Sequence, residues 1–126
     1  IVSQLHMDEY IHKKAKTYSL GMKQKLGIAI AFLNKPQFII LDEPMNGLDP
    51  KAVRDVRELI VQKAQEGVTF LISSHILSEL VKITNSILII NKGKIVTETS
   101  EEELKQFKDN DLENVLLEII EREDQA

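Results

Sequence analysis

Cysteine is absent from this sequence, which excludes disulfides and thiolate metal sites and fits a reducing compartment. Long apolar runs are missing too: no stretch approaches the ~20 residues needed to cross a bilayer. The first ten residues, IVSQLHMDEY, have neither the basic flank nor the apolar segment of a signal peptide. There is no initiator methionine, and the expectation is that the chain is a piece of something longer. A one-sided charge is also missing from the first 99 residues, where 13 Lys/Arg against 10 Asp/Glu leave +3. Residues 100–126 hold 3 against 10, a net of −7. Such an acidic tail repels nucleic acid and anionic lipid and argues against a DNA-binding role.

What is present suits one soluble globular domain with a real core: 126 residues, 43% hydrophobic and 29% charged. The ends of the chain look helical and the middle alternates strand and helix. Ser19 is a good N-cap, and Met22, Leu26, Ala29, Ile30 and Leu33 recur at helical spacing, which predicts a helix over 19–33. The run FIIL at 38–41 reads as a parallel strand covered on both faces. Asp49-Pro50 opens the next helix, with Val53, Val56, Leu59 and Ile60 as its stripe and Gly67 as its stop. VTFLIS at 68–73 follows as a strand and completes a βαβ unit. A short helix is expected over 76–82, then a strand at 87–90, a turn at Asn91–Lys94 and a further strand IVTET. Ser100 and Glu103 form a capping box. A last helix over 111–123 shows Leu112, Val115, Leu116, Ile119 and Ile120 on one face, a stripe that must dock on the domain or on a partner. Phe32, Phe38 and Phe70 are expected in the core, and His6, His12, Lys13, Lys14 and Lys16 in solvent.

The chemistry concentrates where the first strand ends, at Asp42 and Glu43. In α/β sheets, ligand and catalytic groups sit at the carboxyl ends of strands. A carboxylate there can hold Mg²⁺, and a second one beside it can orient and polarise a water. Adjacent side chains on a strand point to opposite faces, so the two acids cannot share one job. NGLDP follows at once and brings Asp49 near the strand end. SSH ends the next strand and sets His75 beside the acids. Upstream, YSLGMKQKLGIA puts Ser19 and Gly21 at a helix N-terminus, where free backbone N–H groups favour phosphate. Each feature also has a bland structural reading: a strand cap, a turn, an exposed histidine, an N-cap. Four bland readings in this order are the less economical account.

Taken together, these stretches resemble the ATP-binding subunit of an ABC transporter across roughly residues 17–99. YSLGM resembles the signature motif, FIILDEP the Walker B strand, NGLDP the D-loop, and His75 the switch histidine. The resemblance implies an α/β P-loop NTPase fold with a parallel sheet flanked by helices, and ATP and Mg²⁺ as cofactors. It implies that Asp42 serves Mg²⁺, that Glu43 is the general base for the attacking water, and that His75 contacts the γ-phosphate. It places Asp49 at a dimer interface, and Ser19 and Gly21 on the γ-phosphate of ATP held by the opposite subunit. The implied partners are a second ATPase subunit and a transmembrane permease, on the cytoplasmic face of the cell membrane, with no nucleic acid. The form YSLGMKQKLGIA is similar to the subgroup that exports, or gives resistance to, peptide antibiotics of the bacitracin and lantibiotic type.

Two departures matter. The usual signature is Leu-Ser-Gly-Gly-Gln; here Tyr18, Leu20 and Met22 replace the Leu, the first Gly and the Gln. A P-loop needs Gly-x-x-x-x-Gly-Lys-Ser/Thr, and the sequence has none. Its only Gly-Lys, Gly93-Lys94, is followed by Ile95 and has Leu88 where the first Gly belongs. The chain therefore reads as the C-terminal half of the ATPase, without the phosphate cradle and its strand, and is expected to be inactive alone. The organisation expected is 1–35 as part of a helical subdomain, 36–99 as the C-terminal half of the core, and 100–126 as a helical extension. Without the P-loop strand, 68–73 is expected to pair with 87–90, or two copies to associate. Two rivals remain: a soluble ABC ATPase acting on nucleic acid or ribosomes, and a non-catalytic partner that only donates its signature.

Overall fold

Along β1 (Phe38–Asp42), Ile39 and Leu41 turn inward while Phe38 and Ile40 stay exposed, so the strand covers the core with one face only. The structure is a computed structural model; it describes residues 1–100 together with Asn114, Leu117, Glu118 and Glu121, the side chains of Leu77 and Ser78 excepted. Two compact units are present, Ile1–His75 and Ile76–Ala126.

The first unit is a β-α-β arrangement entered through a helix. That helix, α1 (Leu20–Ala31), begins where expected. The Ser19 hydroxyl accepts from the Met22 N–H at 3.2 Å, and the Ser19 N–H points back to Met22 Sδ at 3.4 Å, so a methionine completes the capping box. Its buried face is not the expected one. Ile28, and Phe32 just past its end, are buried, whereas Ile30 and Leu33 lie exposed. Apolar residues are spread around α1 with no single stripe, so spacing selects no face; packing on β1 does.

Between β1 and β2 (Thr69–Ser73) runs α2 (Pro50–Gln65). Asp49 caps α2 through Oδ1, which accepts from the Ala52 N–H at 2.8 Å, and Pro50 needs no partner at the first helical position. Ala52, Val56, Leu59 and Ile60 are buried along α2, the last three supplying roughly 1.5–3 kcal/mol each. Gly67, at φ +102°, takes the left-handed conformation that stops the helix. β1 and β2 pair in parallel, with Phe38 opposite Thr69 and Asp42 opposite Ser73. The architecture is α/β, a parallel pair flanked by helices.

The N-terminus is not the expected helix. Residues 1–13 form successive turns, and a short 3-10 helix spans Ala15–Thr17. His6, at φ 54°, interrupts any helical course. The segment still contributes to the core through fully buried Leu5 and Met7. Gln4 Nε2 donates to Gln62 Oε1 at 2.8 Å and His6 Nε2 lies 3.3 Å from Asp55 Oδ2, which ties the segment to α2. The Tyr18 hydroxyl donates to the Tyr10 carbonyl at 2.9 Å, and the two rings meet edge to face at 5.1 Å. Phe32 is core and Phe70 half-buried, but Phe38 is 55% exposed, against expectation. Phe38, Ile40 and Leu71 make the outward face of the pair apolar and open.

In the second unit, α3 (Leu77–Leu80) is shorter than predicted, and i→i−3 bonds such as Ile83 N–H to the Leu80 carbonyl continue as turns. β3 (Ile87–Asn91) and β4 (Lys94–Thr99) then form an antiparallel hairpin. Lys92 and Gly93 both have positive φ, 52° and 78°, as a two-residue primed turn requires. The two strand pairs are separate sheets, so the expected pairing of 68–73 with 87–90 is not formed. The two-residue loop makes 87–91 and 94–99 local partners, whose pairing closes a short loop at little cost in chain entropy. The capping box at Ser100 and Glu103 and the helix over 111–123 lie outside the described residues, apart from helical Asn114, Leu117, Glu118 and Glu121. Among the described residues no helix is long and apolar enough to cross a membrane.

Candidate functional site at the carboxyl ends of the parallel strands

The register that sets Asp42 opposite Ser73 decides what meets at the strand ends. One residue beyond β1 comes Glu43, and two beyond β2 comes His75. His75 Nδ1 lies 3.0 Å from Glu43 Oε2. The Ser73 hydroxyl donates to Asp42 Oδ1 in a short hydrogen bond. The same hydroxyl, 3.1 Å away, accepts from the Glu43 N–H, which also reaches the Ser73 carbonyl at 3.1 Å. The two carboxylates thus take different partners, Ser73 for Asp42 and His75 for Glu43.

Glu43 has φ 48°, in the left-handed region that non-glycine residues seldom occupy. The chain leaves the strand there and turns. The Asn46 N–H donates to the Glu43 carbonyl at 3.2 Å, and the Leu48 N–H to the Met45 carbonyl at 3.2 Å. Met45 is buried and anchors the turn. Site side chains stay near water: Asp42, Ser73 and His75 are exposed and Glu43 half-exposed.

The same loop touches the start of α1. A Cβ on Gly47, itself at φ +77°, would stand 2.9 Å from Leu20 Cδ2, and a Cβ on Gly21 would stand 3.3 Å from the Gly47 carbonyl. Gly21 and the loop that leads to Asp49 are therefore in close apposition. Leu20, which stands where the usual signature has glycine, covers Gly47 yet remains 68% exposed. Ser19 is exposed; Asp49 is exposed and its carboxylate serves the α2 cap.

Two residues of the site escaped the sequence. Ser73 lies within the SSH stretch but carries no signal of its own beyond a strand-end hydroxyl. Gln24, one turn into α1, donates from Nε2 to the Glu43 carbonyl at 2.9 Å and to the Pro44 carbonyl at 2.9 Å. A polar residue on an otherwise apolar helix face was the available hint.

Asp42 presents one hard oxygen ligand, the donor set of a cation that keeps waters and binds mostly through substrate phosphates, as Mg²⁺ does. Away from the site, burial pushes the Tyr10 hydroxyl above its usual range, with neighbouring Tyr18 adding to it.

A family model described as "AAA domain, putative AbiEii toxin, Type IV TA system" matches residues 8–81. The lantibiotic transport ATP-binding protein SrtF of Streptococcus pyogenes is 51% identical over 86 residues, which is 68% of this chain and 38% of that protein. The bacitracin transport ATP-binding protein BcrA of Bacillus licheniformis is 49% identical over 90 residues, 71% of this chain and 29% of that protein. A solved ATP-binding subunit of an ABC transporter superposes with a TM-score of 0.81 at 28% identity, over 94% of this chain and 51% of that one. The chain thus spans between a quarter and two-fifths of these curated relatives. By the family model that it matches over more than half its length the chain belongs to the AAA-domain family, and by its curated relatives and structural neighbours it is a fragment of an ABC transporter ATP-binding protein.

Proposed function

We propose that these residues form the C-terminal, hydrolytic half of a subunit that hydrolyses MgATP at a dimer interface to drive a membrane permease. The observation that supports it best is the Glu43–His75 pair, at 3.0 Å, beside Asp42 at the ends of two parallel strands. Glu43 orients a water and takes its proton as that oxygen attacks the γ-phosphorus, the bond to the β–γ bridging oxygen breaks and ADP leaves. His75 holds the Glu43 carboxylate from one side and faces the phosphate. Asp42 would hold Mg²⁺, whose charge offsets that of the phosphates. Ser19, Gly21 and the N–H groups at the start of α1 face the nucleotide of the opposite subunit. Asp49 sits at the contact between subunits.

The phosphate cradle has to come from elsewhere, because the sequence holds no P-loop. The open apolar face of Phe38, Ile40 and Leu71 fits a chain that is completed by further layers, or by a second copy. Bacitracin and lantibiotic transport in the relatives' names supports peptide-antibiotic export or resistance as the task, performed at the cytoplasmic face of the membrane. Those names favour transport over the toxin–antitoxin setting of the family model.

The reading is tested in a chimaera in which this chain replaces the matching segment of the lantibiotic transport relative. Phosphate release that is lost on Ser19→Arg, and half restored by mixing Ser19→Arg with unmutated subunits, supports hydrolysis across a dimer. Release unaffected by Ser19→Arg refutes it.

A further inference from the structure

We propose that Gln24 is a positioning residue for the hydrolytic carboxylate, coupling the helix that carries Ser19 and Gly21 to the peptide of Glu43; this rests on the ATPase reading above. The main-chain conformation of Glu43 is costly, with φ at 48°, and such a conformation persists only where its surroundings over-determine it. Here it is held from both sides. On the amino side, the Glu43 N–H is shared by the carbonyl and the hydroxyl of Ser73, both at 3.1 Å. On the carboxyl side, the Gln24 amide reaches the Glu43 and Pro44 carbonyls, each at 2.9 Å. A primary amide has two N–H donors, and both are committed to this one turn. The Asn46 N–H adds a third bond, at 3.2 Å, to the Glu43 carbonyl.

Position along α1 gives the clamp its consequence. Gln24 is five residues beyond Ser19, on a helix whose first turn is fixed by the Ser19 cap and whose second residue abuts Gly47. A rigid-body shift of α1, such as a ligand at its N-terminus would cause, pulls on the two carbonyls that define where the Glu43 side chain leaves the main chain. The reverse also holds. The carboxylate is aimed at His75 only while the turn keeps its course. Signature engagement and carboxylate aim are thus mechanically one event.

The test has two arms. In this chain, labelled for nuclear magnetic resonance, Gln24→Met removes the donors at similar length. The Cα shift and the N–H/Hα coupling of Glu43, which report φ, should leave their left-handed values, and Asn46 N–H exchange should quicken by about tenfold or more. Exchange of the strand amides should stay unchanged. Gln24→Lys, which keeps a donor of similar reach, should restore the Glu43 values. Unchanged Glu43 values in a folded Gln24→Met chain overturn the proposal, and so does global unfolding of both variants, which would make Gln24 structural. In the chimaera, Gln24→Met should lower kcat about 10- to 100-fold while KM for ATP moves less than about twofold. A rise in KM alone overturns positioning. If the unmutated chimaera has no turnover, the ATPase reading fails, and the clamp stands or falls on the spectroscopic arm.

Discussion

His75 Nδ1 stands 3.0 Å from Glu43 Oε2 although 32 residues separate them in sequence. The crossover through α2 and the Asp42–Ser73 register bring them together. The contact is wet: the side chains are 70% and 35% exposed. An exposed pair of this kind contributes about 0–1 kcal/mol, too little for the fold to depend on it. His75→Ala should therefore cost at most about 1 kcal/mol in a urea unfolding curve, yet abolish most phosphate release by the chimaera. A large loss of stability would assign His75 to the fold instead.

MgATP should bind this chain weakly by itself. Ser19 and the N–H groups of α1 offer a few charge-assisted hydrogen bonds, while association costs roughly 4–15 kcal/mol. Calorimetric titration should give a Kd weaker than about 1 mM, or −4 kcal/mol. A micromolar Kd would mean that the chain holds nucleotide through contacts other than a P-loop.

Gly47→Ala should destabilise the chain by about 1–3 kcal/mol, from its positive φ and from the contact with Leu20. Leu20→Ala in the same chain should recover the part due to contact and leave the part due to φ. Full recovery would show that the backbone conformation carries no cost. Urea midpoints decide between them.

Tyr10 offers a pH-dependent test. Its hydroxyl is buried with no partner among the described residues, and its pKa lies above the ordinary value because of burial, then Tyr18. The folded state therefore holds this proton more tightly than the unfolded chain. Tyr10's contribution is intact below the unfolded pKa of about 10 and is lost as pH rises through the folded value. Tyr10→Phe should raise stability by about 1 kcal/mol at neutral pH and flatten the decline above pH ~10. Thermal unfolding across that range checks both; an unchanged alkaline slope would remove Tyr10 as its cause.

Local signals were legible in the sequence. Asp49-Pro50 and Gly67 bound α2 because a cap, a fixed φ and a left-handed stop act within a few residues. Ser19 was legible as a cap for the same reason. The strand-end neighbours Asp42, Glu43 and His75 followed from the βαβ order. What depends on tertiary choice was not legible. Apolar residues are spread around α1 with no single stripe, so only packing on β1 selects Ile28 and Phe32. Phe38 and Ile40 read as core because they are apolar, yet the described residues leave that face open. The turns of residues 1–13 depend on His6 at positive φ and on α2 as a support. Gln24 and Ser73 act through main-chain atoms of distant residues, and no spacing encodes such a contact.

On the proposed function, Glu43 of this chain supplies the base for hydrolysis. The most direct measurement is steady-state phosphate release by the chimaera with Glu43 and with Glu43→Gln. The amide keeps the shape of the side chain but cannot accept the proton of the attacking water. Robust release is expected with Glu43, and with Glu43→Gln retained ATP binding, release at background and an ATP-bound dimer that persists. Equal release by the two chains would contradict the proposed function and remove Glu43 from the chemistry.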